Sequence, residues 1–187
     1  LLGIRKADLD ADDFEGVVSG EYWMGTAGDD THGGTADDDM LMGMDGDDTL
    51  QAGTGDDEIM AGDGDDSVIG GDGAGDDTYH GGDGDDTLVF TSATSGVSVN
   101  LANGTASGKT IGKDMLDGFE NLVGGQSNDK LYGDDDANVL DGHLGKDYLR
   151  GGDGDDLYIV DNRSDRVVER RDEGTDTVHV VDVLHSS

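Results

Sequence analysis

Ten aspartates and one asparagine occupy the same place in a unit of nine residues: Asp30, Asp39, Asp48, Asp57, Asp66, Asp77, Asp86, Asp129, Asn138, Asp147 and Asp156. A carboxylate repeated at this spacing among glycines suits one chemistry above others, the chelation of a hard cation. Ca²⁺ takes six to eight oxygen ligands at about 2.3–2.6 Å, from carboxylates, amide oxygens and backbone carbonyls. Aspartate is a short carboxylate that tolerates tight turns, and glycine lets loop carbonyls rotate inward at no steric cost. Asn138 supplies a neutral oxygen in the same column. The residues just before seven of these positions, Asp29, Asp47, Asp56, Asp65, Asp76, Asp85 and Asp155, read as solvent-facing charges that raise the local cation concentration.

The elements that must position these side chains follow from the rest of the unit. From Gly25 the chain divides into GTAGDDTHG, GTADDDMLM, GMDGDDTLQ, AGTGDDEIM, AGDGDDSVI, a copy two residues longer (GGDGAGDDTYH) and GGDGDDTLV. The phase returns at Gly124 with GGQSNDKLY, GDDDANVLD, GHLGKDYLR and GGDGDDLYI, making eleven copies in blocks 25–89 and 124–159. The eighth position is apolar or aromatic in ten of them: Leu41, Leu50, Ile59, Val68, Tyr79, Leu88, Leu131, Leu140, Leu149 and Tyr158, with His32 the exception. Six residues of loop and three of strand leave no room for helix. Such units make short strands joined by tight turns, with one inward row of side chains per face and a thin core.

Composition explains why a cation is needed. The 187 residues hold 39 Asp and six Glu against 11 Lys and Arg, for a formal charge of −34. Only 33% are hydrophobic, so charge and hydropathy alone would place the chain among disordered sequences. A disordered acidic tail, however, would not keep its phase across the gap between the two blocks. Each site that binds only the folded state adds about 1.4 kcal/mol when calcium stands at ten times Kd, and several sites together reach the scale of a whole domain's stability. The same charge argues against nucleic acid as a partner. Without cysteine there are no disulfides or thiolate metal sites, and no apolar stretch is long enough to span a bilayer. The chain opens at Leu1-Leu2-Gly3 and reads as a piece of a longer protein.

The unit resembles the pattern G-G-x-G-x-D-x-U-x, the hemolysin-type nonapeptide of RTX (repeats-in-toxin) calcium-binding proteins. That resemblance implies an all-β fold, a right-handed parallel β-roll with two nonapeptides per turn and calcium in the loops between turns. One turn is then 18 residues. One edge carries Asp30, Asp48, Asp66 and Asp86, the other Asp39, Asp57 and Asp77; in the second block Asp129 pairs with Asp147 and Asn138 with Asp156. Seven cross-turn pairs result, hence about seven or more Ca²⁺ ions, the pair with Asn138 and the sites beside the two-residue insertion being weakest.

The remaining segments frame the repeats. Residues 1–24, with Leu1, Leu2, Ile4, Phe14, Val17, Val18, Tyr22 and Trp23, read as an N-terminal cap or the tail of an upstream domain. Residues 90–123 resemble the metal-free coils between RTX blocks: a strand over 96–101, a turn in the run ANGTASGKT, then apolar Met115, Leu116, Phe119, Leu122 and Val123. The solenoid is expected to continue through them with a longer surface loop near 104–113. Residues 160–187 carry Arg163, Arg166, Arg170 and Arg171 and read as a C-terminal cap, with strands over 157–160, 166–169 and 177–183.

Other functions find little support. No EF-hand loop, H-E-x-x-H or G-x-S-x-G occurs, and His32, His80, His143, His179 and His185 are scattered. Thr26, Thr35 and Thr54 form no regular outward array of the kind an ice-binding face needs. The leading reading is a calcium-binding module, not an enzyme, that folds on Ca²⁺ outside the cell. The resemblance implies a larger secreted bacterial protein exported by type I secretion machinery. Two alternatives differ in the parent: a secreted metalloprotease, lipase or epimerase whose catalytic domain lies upstream, or a surface adhesin or surface-layer protein using the solenoid as a spacer.

Overall fold

The computed structural model describes residues 20–70, 73, 75–171 and 173–181; Leu1, Leu2, Ile4, Phe14, Val17 and Val18 of the N-terminal segment lie outside them, as do Ala74 of the insertion and Val183. Among the described residues the fold is entirely β. It is a parallel β-roll in which the chain alternates between two facing sheets.

The ten-stranded face contains β1 (Tyr22–Met24), β3 (Met40–Asp45), β5 (Glu58–Asp63), β7 (Thr78–Asp83), β9 (Val97–Asn100), β10 (Thr105–Gly108), β11 (Gly112–Asp117), β13 (Lys130–Tyr132), β15 (Tyr148–Arg150) and β17 (Arg166–Val167). The eight-stranded face contains β2 (Thr31–Gly33), β4 (Thr49–Gln51), β6 (Ser67–Ile69), β8 (Thr87–Val89), β12 (Asn121–Val123), β14 (Val139–Asp141), β16 (Leu157–Val160) and β18 (Thr177–Val180). Within the repeats each strand pairs in parallel with the next turn's strand on its own face. The register advances 18 residues per turn (Leu41 beside Ile59, Leu50 beside Val68) and 20 across the insertion (Ile59 beside Tyr79, Val68 beside Leu88).

All ten apolar eighth-position side chains are 0% exposed. They form two inward columns, and period-two alternation sends the ninth position outward. At the N-terminal end Trp23 continues one column and His32 the other; their rings stack with centroids 4.3 Å apart, and Glu21 stands 3.2 Å from His32 Nε2. The odd His32 thus helps close the roll by stacking across it.

The intervening segment departs from the expected arrangement. After β8 the chain skips ahead to β9, which pairs with β13. It then folds back through antiparallel β10 to β11, which pairs in parallel with β7. The run ANGTASGKT, read as one turn, is two turns flanking β10. Its sole buried apolar residue is Ala106, so it carries no hydrophobic alternation to betray a strand. Between β7 and β13 one face holds three strands where the other, between β8 and β14, holds only β12. At about 4.8 Å per strand the first face is roughly 10 Å longer there. Phe90, Ile111 and Phe119, at 1%, 1% and 3% exposure, add core volume in the same region. At the far end β17 and β18 continue both sheets by one strand each.

Candidate metal centre

Each sixth-position residue sits immediately before a strand, at the loop edge of the roll. In seven of them Oδ1 accepts the backbone N–H of the sixth-position residue one turn earlier. The donor-to-acceptor steps are Asp30 to Asp48 (2.7 Å), Asp48 to Asp66 (2.7 Å), Asp66 to Asp86 (2.8 Å), Asp39 to Asp57 (2.8 Å), Asp57 to Asp77 (2.9 Å), Asp129 to Asp147 (2.8 Å) and Asn138 to Asp156 (2.9 Å). These are the seven pairs grouped by the turn length. Ten of the eleven residues are buried, and only Asp30, at the N-terminal end, is half-exposed.

The second oxygen of these carboxylates is the chemically telling one. Oδ2 of Asp48, Asp57, Asp66, Asp86 and Asp147 is buried without a hydrogen-bond partner. Burying a charged oxygen with nothing opposite it is expensive, and such a group calls for a proton or a cation. Burial, reinforced by like-charged neighbours, pushes Asp57 and Asp147 up to about 7 and Asp86 to about 6. Asp48, Asp66, Asp77, Asp129 and Asp156 are raised in the same direction, chiefly by burial.

The first-position glycines make room for these oxygens. A Cβ on Gly43 would stand 2.1 Å from Asp48 Oδ2, one on Gly142 2.7 Å from Asp147 Oδ2, and one on Gly151 1.7 Å from Asp156 Oδ2. The same hypothetical atoms on Gly25 and Gly43 would also meet the carbonyl oxygens of Gly43 and Ala61 one turn on. Carboxylate and backbone carbonyl oxygens therefore converge where side chains are missing. An all-oxygen donor set of alternating carboxylates and loop carbonyls fits Ca²⁺.

The fifth-position aspartates are exposed, as expected of solvating charges, but they also form a ladder of their own. Asp29 Oδ1 accepts from Asp47 N–H (3.1 Å), Asp47 from Asp65 (3.0 Å), Asp65 from Asp85 (3.0 Å), and Asp56 from Asp76 (2.9 Å). This outer ladder points forward along the chain and the inner one backward, so adjacent residues staple a turn to both neighbours.

Sequence reasoning missed five members of the inner columns. Glu21 donates its N–H to Asp39 Oδ1 at the start of one edge. Asp114 accepts from Asp77 N–H (3.3 Å), Asp165 from Asp147 (3.0 Å), Asp176 from Asp156 (3.1 Å), and Glu120 Oε2 from Asp86 (2.8 Å). One edge therefore runs through Asp30, Asp48, Asp66, Asp86 and Glu120, is joined there by Asn138 Nδ2 donating to the Glu120 carbonyl oxygen (3.0 Å), and continues from Asn138 through Asp156 and Asp176. The other breaks where β10 and β9 intervene, Asp129 accepting there from Val97 N–H (2.8 Å). The missed residues left faint signals. Asp165 lies 18 after Asp147, Asp176 lies 20 after Asp156, and Gly174-Thr175-Asp176-Thr177-Val178 repeats the end of a nonapeptide.

At the C-terminal end Asp156, Glu169 and Asp176 bring carboxylate oxygens within 4.8 Å of one another. Tyr158 Oη accepts Gly151 N–H at 2.6 Å and bonds Glu169.

A family model described as the RTX calcium-binding nonapeptide repeat matches in four copies, at residues 42–74, 55–88, 116–149 and 133–162, together covering 94 of the 187 residues. Comparison with curated proteins gives no match.

Proposed function

Because the chain belongs to the RTX calcium-binding nonapeptide repeat family, we propose that its two blocks are ladders of Ca²⁺ sites whose filling completes the fold, with Asp30, Asp39, Asp48, Asp57, Asp66, Asp77, Asp86, Asp129, Asn138, Asp147 and Asp156 as ligands. The repeat domain is a structural calcium-binding module. The observation that carries the reading is the row of buried carboxylate oxygens without partners at the turn edges. Bound calcium would supply positive charge and accept carboxylate and carbonyl oxygens. The protein's part is to stack these donors at 18-residue intervals, to exclude water from them by burial, and to leave out the Cβ atoms that would crowd them.

Stacked like charges oppose the metal-free roll. With a formal charge of −34, the chain remains unfolded where calcium is scarce and folds where it is abundant. Extracellular calcium modules have Kd of about 10⁻⁴ to 10⁻³ M, far above cytosolic calcium. Such a chain crosses a type I export channel unfolded and folds on the outer side, as part of a larger secreted bacterial protein. Among the described residues no helix is long and apolar enough to cross a membrane.

A far-UV circular dichroism titration with Ca²⁺, using Mg²⁺ as control, tests the reading. A cooperative coil-to-β transition with calcium alone is expected. A chain already β in chelator and indifferent to calcium would overturn it.

A further inference from the structure

The back-folded strand of the intervening segment carries a half-repeat that the nonapeptide pattern hides. Gly112-Lys113-Asp114-Met115-Leu116 has the same spacing as Gly145-Lys146-Asp147-Tyr148-Leu149 of the second block. The structure places the two alike. Lys113 N–H bonds Asp76 Oδ1 at 3.0 Å, as Lys146 N–H bonds Asn128 Oδ1 at 3.0 Å. Asp114 Oδ1 accepts from Asp77 N–H as Asp147 Oδ1 accepts from Asp129 N–H. Leu116 stands beside Tyr79 in the buried column.

Asp114 is 2% exposed, and its Oδ2 is buried without a hydrogen-bond partner, as in Asp48, Asp57, Asp66, Asp86 and Asp147 of the repeats; Oδ2 of Asp77 accepts from Tyr79 Oη at 2.7 Å. The backbone beside it is shaped for close approach. Gly112 has φ +78°, and a Cβ there would lie 1.8 Å from the carbonyl oxygen of Gly75. Asp114 lies outside the residues matched by the repeat model, which resumes at 116.

We propose that Asp114 is a calcium ligand, forming with Asp77 an additional site that carries the ladder of Asp39, Asp57 and Asp77 into the segment between the blocks. The proposal rests on the calcium-ladder reading above. The ladder stops there on this edge, because the neighbouring strand β10 runs antiparallel and sets Ala106 opposite Asp114. A segment that resembles a metal-free connector thus ties its meander to the first block through a shared ion.

The test is calcium stoichiometry by isothermal titration calorimetry on the full chain, comparing wild type with Asp114→Ala and with Asp117→Ala. Asp117, on the same strand, is exposed and faces His80 at 2.7 Å. The expected result is one ion fewer per chain for Asp114→Ala, with the calcium-driven transition retained, and an unchanged count for Asp117→Ala. An unchanged count for Asp114→Ala overturns the proposal while leaving the calcium-ladder reading intact; a wild-type chain that binds no calcium removes both. Should Asp114→Ala not fold, the wild-type chain labelled with ¹³C at its aspartate carboxyls decides. The Asp114 resonance is expected to shift with Ca²⁺ and not with Mg²⁺, and a resonance unmoved at saturation overturns the assignment.

Discussion

The backbone N–H of Asp48 donates to Oδ1 of Asp66 at 2.7 Å, one full turn further along the roll. Asp48's own Oδ1 receives Asp30 N–H at 2.7 Å, and its Oδ2 has no partner. Asp48 therefore borders two turn-to-turn gaps. Asp48→Ala is expected to remove two calcium ions per chain and to shift the folding midpoint to higher calcium. Asp47→Ala deletes only the outer acceptor for Asp65 N–H; it should keep the ion count and cost about 1 kcal/mol. Calorimetric stoichiometry of the two variants separates the inner column from the outer one, and equal losses would count against the division.

The buried carboxylates set a pH dependence whose sign can be worked out. Burial first, then the charges of Asp77, Asp39 and Asp38, raise Asp57 to about 7; burial with Asp129, Asp165 and Asp161 raises Asp147 to about 7. In the unfolded chain aspartate titrates near 3.9. Between these values the folded state holds more protons, so the stability of the metal-free roll falls as pH rises. In chelator the chain is expected to gain β structure on acidification towards about pH 4 and to lose it progressively as pH rises to about 7. Calcium binding near neutral pH should release protons, visible as a dependence of the calorimetric heat on the buffer. Metal-free β content that grows with pH would contradict the burial of these groups.

The second position of the unit tests the backbone. Glycine there takes positive φ at Gly53, Gly62, Gly82 and Gly152, but Met44 holds φ +93° with its side chain 44% exposed. A non-glycine residue in that region costs of order 1–3 kcal/mol. Met44→Gly should therefore raise the thermal midpoint in saturating calcium despite the greater freedom glycine gives the unfolded chain. Gly62→Ala should do the reverse and more strongly, because its Cβ would fall 2.0 Å from the Met44 carbonyl oxygen. Thermal unfolding of both variants at fixed calcium checks the pair of signs.

The roll and its principal columns were legible because period nine is carried by residue types that tolerate few substitutes. Asp at the sixth position and an apolar residue at the eighth predict which atoms are buried, and Leu41 through Tyr158 obey. Three features were not legible. Glu120 fills an aspartate's place with a longer side chain, so a search for Asp passes over it. Asp114 sits in a strand reached only after the chain has run forward and folded back, so its distance of 37 residues from Asp77 fits no turn length. The outer ladder depends on the direction of hydrogen bonds, which composition does not encode.

Asn138 is the one neutral member of the inner repeat column, and its contacts show what the missing charge does. Its Nδ2 donates to the Glu120 carbonyl oxygen at 3.0 Å, and its Oδ1 accepts from Asp134 N–H at 2.9 Å. The preceding turn is thus held through a donor, where an aspartate would offer an acceptor. Asn138→Asp removes that donor and sets a buried carboxylate against the Glu120 carbonyl, so the metal-free roll should become less stable. With calcium present the same carboxylate adds a charged ligand, and affinity at calcium sites rises with ligand charge. The weakest class of sites in the calorimetric isotherm is expected to tighten about tenfold, equivalent to about 1.4 kcal/mol, while the chain in chelator loses residual β signal. An isotherm unchanged by Asn138→Asp would place Asn138 outside the ligand set and leave it as a hydrogen-bonding link between turns.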